Sequence, residues 1–353
     1  MTTHRDIALL RLAAQRLVGP GLATPADAVR WLLAAQAQDL PGALTSVALR
    51  TRAAGRADVE AALDRGEVVR SWPMRGTLHV VAADDLGWLS GLAAARAARG
   101  QRARRAQLGL DDTALDRARE LAAEALAGGK RLTRAELYAA WSAAGIATDG
   151  QRGVHLIYHL AQAGVVCLGP LDGGEQRLVL VDEWVPGARR PAREEALAEL
   201  ALRYFRGHGP ATVADLARWT KLPLTDTREG LSAVRDRLER LVVDDTEYFM
   251  DPETPALLAA HRERAGGVLL LPGFDEFLLG YADRGAALPA AHAERIVPGG
   301  NGVFRPTIVL DGQVVGTWRH TGRGAKRTVD ATPFTPFPEG VTDEVTKAYA
   351  ALP

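Results

Sequence analysis

A single cysteine, Cys167, stands in the 353-residue chain, which excludes an intramolecular disulfide framework and any cysteine cluster for a metal. It falls in the apolar run Gly164-Val165-Val166-Cys167-Leu168, a core position suited to a reducing cytoplasm. No apolar run approaches the roughly 20 residues needed to cross a bilayer. The opening His4-Arg5-Asp6 leads into no signal-peptide core, so no membrane partner is expected. Charge of one sign is also lacking: 43 basic and 43 acidic side chains cancel, and the chain as a whole announces no polyanion partner. Any nucleic-acid surface must come from uneven placement. Lysine is scarce beside arginine, the mark of a GC-rich coding bias, which weakens arguments from arginine counts alone. P-loop and dinucleotide fingerprints are missing too, so neither a cofactor nor a metal is expected. What is present, 47% apolar and 24% charged residues, is ordinary for a soluble globular protein, and the length calls for two or three domains.

The stretch that organises the chain is Ala35-Gln36-Ala37-Gln38-Asp39-Leu40-Pro41-Gly42. A helix from Thr24-Pro25, a good N-cap and first-turn pair, runs through Val29, Leu32 and Leu33 to these glutamines. On a continuing helix, positions i and i+2 lie about 200° apart and cannot work on one target. The pair must leave the helix to cooperate. Pro41 disfavours the α region for Leu40 and Gly42 frees the chain to turn, which places Gln36 and Gln38 on an exposed helix-to-loop corner. The plain alternative is that they are surface residues at a helix end.

Around them the chain reads as a recurring supersecondary order. Helices Ile7–Leu17, Thr24 to the glutamines, 43–52 and 57–63 precede a ribbon, Glu67–Val81, broken at Pro73 and Gly76: helices and then a two-stranded wing. Thr133 and Glu136 form a capping box for a helix through Trp141. A second helix, 151–163, and strands 165–168 and 177–181 about Asp172-Gly173-Gly174 complete that unit. Thr212 caps a helix through Trp219, and a second helix, 227–241, is followed by strands 241–243 and 247–250. The order argues for an α+β chain of three tandem winged helix-turn-helix units. We divide it as 1–125, 126–190 and 191–353.

The remaining signals carry two readings each. Arg96, Arg99, Arg102, Arg104 and Arg105 make a basic helix, a solvated face or a sign of a nearby anion. His155 and His159 have the i, i+4 spacing of a zinc pair, but no glutamate follows His155 and no third ligand is evident, so packing is the better account. Asp275-Glu276 looks like an acid pair for metal or acid/base work, and structural ion pairing with arginines is the reading preferred. From 295 to 327 six cations, Arg295, Arg305, Arg319, Arg323, Lys326 and Arg327, face one acid, Asp311. They surround a strong hairpin signal, 303–310 and 313–320 about Asp311-Gly312, preceded by Gly299-Gly300-Asn301-Gly302. Such a basic hairpin is expected to enter a nucleic-acid groove.

Four pieces together resemble the AlkZ/YcaQ-type DNA glycosylases of the tandem winged-helix superfamily. They are Gln36-Ala37-Gln38; Ser71-Trp72-Pro73-Met74-Arg75-Gly76-Thr77-Leu78-His79; Leu270 through Tyr281, containing Pro272-Gly273-Phe274-Asp275-Glu276; and Asn301 through Arg319, with Gly316-Thr317-Trp318-Arg319. The resemblance implies a C-shaped array of three winged helices around a basic DNA-binding channel. It also implies hydrolysis of the N-glycosidic bond of N7-alkylguanine, including bulky adducts and interstrand cross-links from genotoxic natural products, without full flipping of the base. One branch of the family carries aspartate at the last position of the motif; Gln38 places this chain with the AlkZ branch, and Asp39 comes one residue later. Gln36 and Gln38 are the expected catalytic pair. Arg75, Thr77, His79, Asn301, Arg305, Arg319, His320, Arg323 and Lys326 are expected to line the DNA channel, Arg75 by meeting phosphate and His79 either by lining the site or as a structural histidine. The expected partner is double-stranded DNA bearing an alkylated guanine, met in the cytoplasm at the nucleoid by a monomer that needs no protein partner. Winged helices most often serve as sequence-specific regulators, so a non-catalytic transcription factor is the alternative.

Overall fold

The computed structural model describes residues 3–52, 55–322 and 324–353. The chain packs as two compact units, Met1–Val59 with Leu197–Pro353, and Glu60–Ala196. Among the described residues no helix is long and apolar enough to cross a membrane.

The first unit is organised around a strand apolar at every position, Val268–Leu271. Side chains alternate across a strand, so a strand without polar residues must bury both faces. Leu269 and Leu271 join Ile7, Leu9 and Leu12 of the opening helix, His4–Ala14, together with Phe277 and Val309. Val268 and Leu270 face the other way, into a core with Ile308, Trp318, Val341 and Val345. The last two lie on the C-terminal helix, Val341–Ala350. Antiparallel neighbours Thr307–Leu310, Gln313–Thr321 and Thr328–Pro333 continue the sheet in that order. The hairpin about Asp311-Gly312 forms as expected, with φ of 50° and 75° at its two turn residues. Its tip does not project, which corrects the expectation of a groove-entering hairpin at that end. A Cβ on Gly312 would come within 3.2 Å of the Ala8 and Leu9 side chains, and Arg5 pairs with Asp311. The exposed basic end is the opposite one, where Gln313–Thr321 turns into Thr328–Pro333.

The same unit holds the helix Val213–Thr220, with the Thr212–Asp215 capping box in place. Helix Leu224–Ser232 and strands Glu239–Val243 and Thr246–Met250 follow it. Helical periodicity carried the second helix to residue 241. It ends at Ser232, a short 3-10 turn follows at Arg235–Arg237, and strand pairing, from Glu239 opposite Met250, claims the residues from 239 on.

In the second unit Thr133 and Glu136 cap Arg134–Ala143 reciprocally. Helix Arg152–Gln162 and strands Val166–Asp172 and Glu175–Leu180 complete the order helix, helix, hairpin. A second hairpin, Val68–Met74 with Thr77–Ala82, joins the first through the pairing of Arg70 with Leu168. Trp141, Leu137, Leu156, Ile157, Leu160 and Val166 form the core beneath, and the basic stretch lies on the long helix Leu86–Gln107.

Candidate active site

Thr24 caps the helix Pro25–Leu32 by accepting from the Asp27 amide. The helix then breaks at Leu33, whose φ is 66°, and the chain runs extended through Ala35–Gln36. The glutamines therefore leave the helix. Beyond them the chain departs from the expected turn: Leu40-Pro41-Gly42 opens the next helix, Leu40–Ala48, with Asp39 as N-cap residue and Pro41 in the first turn. Proline is tolerated there because first-turn amides have no helical acceptor. Gly42 supplies closeness rather than freedom to turn, since a Cβ on it would lie 2.6 Å from Asp39 Oδ2 and 3.3 Å from the Gly273 carbonyl. Gln36 is half-buried, Ala37 buried and Gln38 exposed.

The adjacent acids Asp275 and Glu276 hold this segment from behind. Asp275 caps the short helix Glu276–Leu279 through the Phe277 amide. Both of its oxygens accept from Arg50, each at 2.9 Å, and Oδ2 accepts from Ser46 Oγ at 2.6 Å. Ser46 and the helix it belongs to come directly after the glutamines, so Asp275 is a structural ion pair that anchors their far side. Glu276 is different. Its carboxylate is fully buried at 0% exposure; Oε1 accepts from the backbone N–H of Gln36 at 3.1 Å, and Oε2 accepts from Trp219 Nε1 at 2.8 Å. His208, also fully buried, stacks on Tyr204 at 4.7 Å and brings Nε2 to 3.6 Å from Glu276 Oε2. Gly280 permits that approach, because a Cβ there would meet His208 Cδ2 at 2.7 Å. Tyr281 closes the cluster by donating its hydroxyl to the His208 carbonyl at 2.7 Å. Burial pushes the Tyr281 and Tyr204 hydroxyls up, so both stay neutral. Expecting arginine partners for the whole acid pair holds for Asp275 and misses the contact of Glu276 with Gln36.

In the second unit Arg75, Thr77 and His79 come together on one hairpin. Arg75 and Gly76 make its two-residue turn, both with positive φ, 59° and 72°. Arg75 Nη2 donates to His79 Nε2 at 2.7 Å. A guanidinium only donates, so Nε2 is the bare nitrogen and Nδ1–H donates to the Thr77 carbonyl at 2.8 Å. His79 is therefore a neutral, buried strut, while Arg75 and Thr77 are half-buried. His155 and His159 lie on one face of Arg152–Gln162 and, with Tyr158, Gln101 and Arg105, line a cavity of about 210 Å³. Burial, then the positive charge of Arg104 or Arg105, holds both histidines below the usual imidazole value. Among the described residues no group of three or more metal-ligating side chains occurs.

The C-terminal candidates belong to the first unit. Arg305 and Arg319 border one depression of about 480 Å³ with Pro306, Thr317, Trp318, Asp330 and Thr332. Trp318 is buried and donates Nε1–H to the Leu271 carbonyl at 2.9 Å, which turns Arg319 to the opposite face of the strand; Arg319 and His320 are both exposed. Arg319 pairs with Asp330 at 2.7 Å, an acid just past the window in which the sequence counted charge. His320 Nδ1 sits 2.8 Å from the Tyr349 hydroxyl, and burial followed by Arg327 lowers its pKa. Asn301 is exposed and accepts from the Val303 amide in a local turn; Lys326 is exposed. Arg323 lies outside the described residues.

Comparison with known proteins covers nearly the whole chain. The family model described as DNA glycosylase AlkZ-like matches residues 29–352. A curated protein of Streptomyces sahachiroi, an interstrand DNA cross-link repair glycosylase, is 28% identical over 327 residues, spanning 89% of this chain and 87% of its own. The solved structure of the Streptomyces sahachiroi DNA glycosylase AlkZ superposes with a TM-score of 0.83 at 26% identity, covering 99% of this chain and 96% of that one.

Proposed function

Because the chain belongs to the AlkZ-like DNA glycosylase family, we propose that its substrate is N7-alkylguanine in duplex DNA, bulky adducts and interstrand cross-links included, and that Gln36 and Gln38 hold the attacking water. The curated relative is named for cross-link repair, and that substrate class suits a role in self-resistance to a DNA-alkylating metabolite. The observation that carries the site is local. Two amides two residues apart leave their helix, the first on extended backbone and the second in the bend that follows, and the main chain of the first is fixed by a buried carboxylate at 3.1 Å.

The chemistry suits neutral amides. Alkylation at N7 makes guanine cationic, so the C1′–N9 bond breaks with its electron pair moving to N9 and neutralising the base. The sugar carbon develops oxocarbenium character, and water adds to it and loses a proton to solvent, leaving an abasic hemiacetal. Such a leaving group needs a positioned water more than a strong base, and amide carbonyls can hold one without repelling the phosphates. Half-buried Arg75 and exposed Arg305, Arg319 and Lys326 are assigned to the DNA backbone; we read each helix, helix, hairpin series as a winged helix that presents them.

The test is single-turnover incubation with duplexes carrying N7-methylguanine, a bulky N7 adduct or an N7 cross-link, with detection of free modified base and abasic sites. Release from at least one is expected. Gln36→Ala and Gln38→Ala should each slow it about 100-fold, the cost of a misplaced nucleophile. No release from any lesion sinks the substrate reading, and full activity in the double alanine variant sinks the site.

A further inference from the structure

We propose that Glu276 is a positioning residue for the reaction, acting through the main chain of Gln36; this rests on the assignment of Gln36 to the attacking water. A fully buried carboxylate is costly unless its oxygens are bonded, and here each accepts an N–H, from Gln36 and from Trp219. Neither of those donors is a cation, and the buried His208 ring stands farther off, with Nε2 3.6 Å from Oε2. A carboxylate satisfies both at once; a carboxylic acid, with one oxygen turned into a donor, does so poorly. A side chain kept only to neutralise a buried arginine would resemble its neighbour Asp275, gripped at both oxygens by Arg50. Glu276 instead reaches a backbone amide of the glutamine pair, that of Gln36.

The mounting behind it is stiff. The Glu276 carbonyl accepts from Gln15 Nε2 at 3.1 Å, and Gln15 Oε1 accepts from Arg50 at 2.8 Å, so both acids of the motif share one buried frame. Trp219 is held from its own side by tilted ring contacts, with centroids 5.1 Å from His208 and 5.2 Å from Tyr204. The segment between Gln36 and Ser46 is thus pinned at both ends, by Glu276 at Gln36 and by Asp275 at Ser46. With Leu33 at a positive φ of 66° just upstream, the extended backbone at Gln36 is imposed by tertiary contacts rather than by local preference.

The test is Glu276→Gln in the full chain. The amide keeps the volume and one acceptor but turns a donor toward the other N–H. On whichever lesion the wild type excises, the single-turnover rate should fall about tenfold or more, the worth of one hydrogen bond to a charged group, while affinity for the lesion duplex stays unchanged. A double-mutant cycle with Gln36→Ala should be non-additive, the second substitution adding little to the first. Amide exchange at Gln36, followed by NMR, should quicken in Glu276→Gln. A purely structural role predicts a lower Tm with the folded variant cleaving at the wild-type rate, or losses that multiply with those of Gln36→Ala, and either result overturns the proposal. A wild type that releases no base overturns the substrate reading and this proposal together; an active wild type matched by Glu276→Gln overturns this one alone.

Discussion

A neutral amide offers no charge and takes no proton, so the role proposed for Gln36 depends on where its backbone is held, and the burial of its neighbours decides that. The same dependence of chemistry on burial makes the two histidines of the second unit titrate. His155 and His159 both sit below their ordinary value of 6.5, with burial the largest cause and arginine charge the next. A histidine with a lowered folded-state pKa binds protons more readily when unfolded, so its stabilising effect is complete above 6.5 and is lost as pH falls toward the folded value. The thermal midpoint should hold level from pH 8 to 7 and decline below about 6.5, the ordinary histidine value. His155→Gln and His159→Gln should each flatten that decline. The lowered carboxylates of Asp6, Glu67 and Glu247 enter only below their ordinary values of 3.8 to 4.5, which separates the two windows. An unaltered slope between pH 6.5 and 5 in the double variant would show that the pair is not its source.

Helix starts were the most legible elements, because a cap is a contact within four residues. Thr133 with Glu136 and Thr212 with Asp215 both form reciprocal boxes, and the glycine turn at 173–174 has the positive φ that a two-residue hairpin requires. The same element holds a contact that sequence does not reveal. Asp215 Oδ1 accepts from the Ala282 amide at 2.8 Å, and Oδ2 lies 3.9 Å from the Arg11 guanidinium, itself buried. Thr212→Ala, which removes only the cap, should cost about 1 kcal/mol in denaturant unfolding. Asp215→Ala should cost about 3 kcal/mol or more, since it also leaves a buried guanidinium without its counter-charge. Equal costs for the two would mean that the ion pair contributes nothing. Glu276 was illegible for the same reason: Gln36 and Glu276 are 240 residues apart, as Ser46 and Asp275 are 229 apart. No local pattern names such partners, although both stretches stood out singly as motifs. The strand Thr328–Pro333 escaped because Thr-Val-Asp-Ala-Thr-Pro pairs at an edge with mixed burial and shows no apolar alternation.

At the scale of the whole molecule the governing fact is electroneutrality, 43 cations against 43 anions. A neutral chain cannot bind DNA through its net charge, so affinity must come from a few phosphate contacts, and each is countable. The logarithm of the binding constant falls with the logarithm of salt concentration by about 0.9 per phosphate neutralised. Arg305 and Lys326 are exposed, and neither pairs with a carboxylate among the described residues. Arg305→Ala and Lys326→Ala should therefore each lower the slope by about 0.9 on any duplex, lesion-bearing or not. Arg319 differs because Asp330 already holds it at 2.7 Å. Its charge reaches a phosphate only in competition with that carboxylate, so Arg319→Ala should lower the slope by less, and Asp330→Asn should raise affinity without changing sequence preference. Slopes measured by anisotropy titration between about 50 and 200 mM salt, the range in which counterion release is usually read, separate this from readout of bases. If Arg305→Ala weakened binding to one sequence and spared others at constant slope, these residues would be reading bases, and the regulator alternative would gain ground. Equal loss on all duplexes is what a lesion-seeking enzyme needs, since a lesion arises in many sequence contexts and the contact that holds the backbone must be indifferent to them.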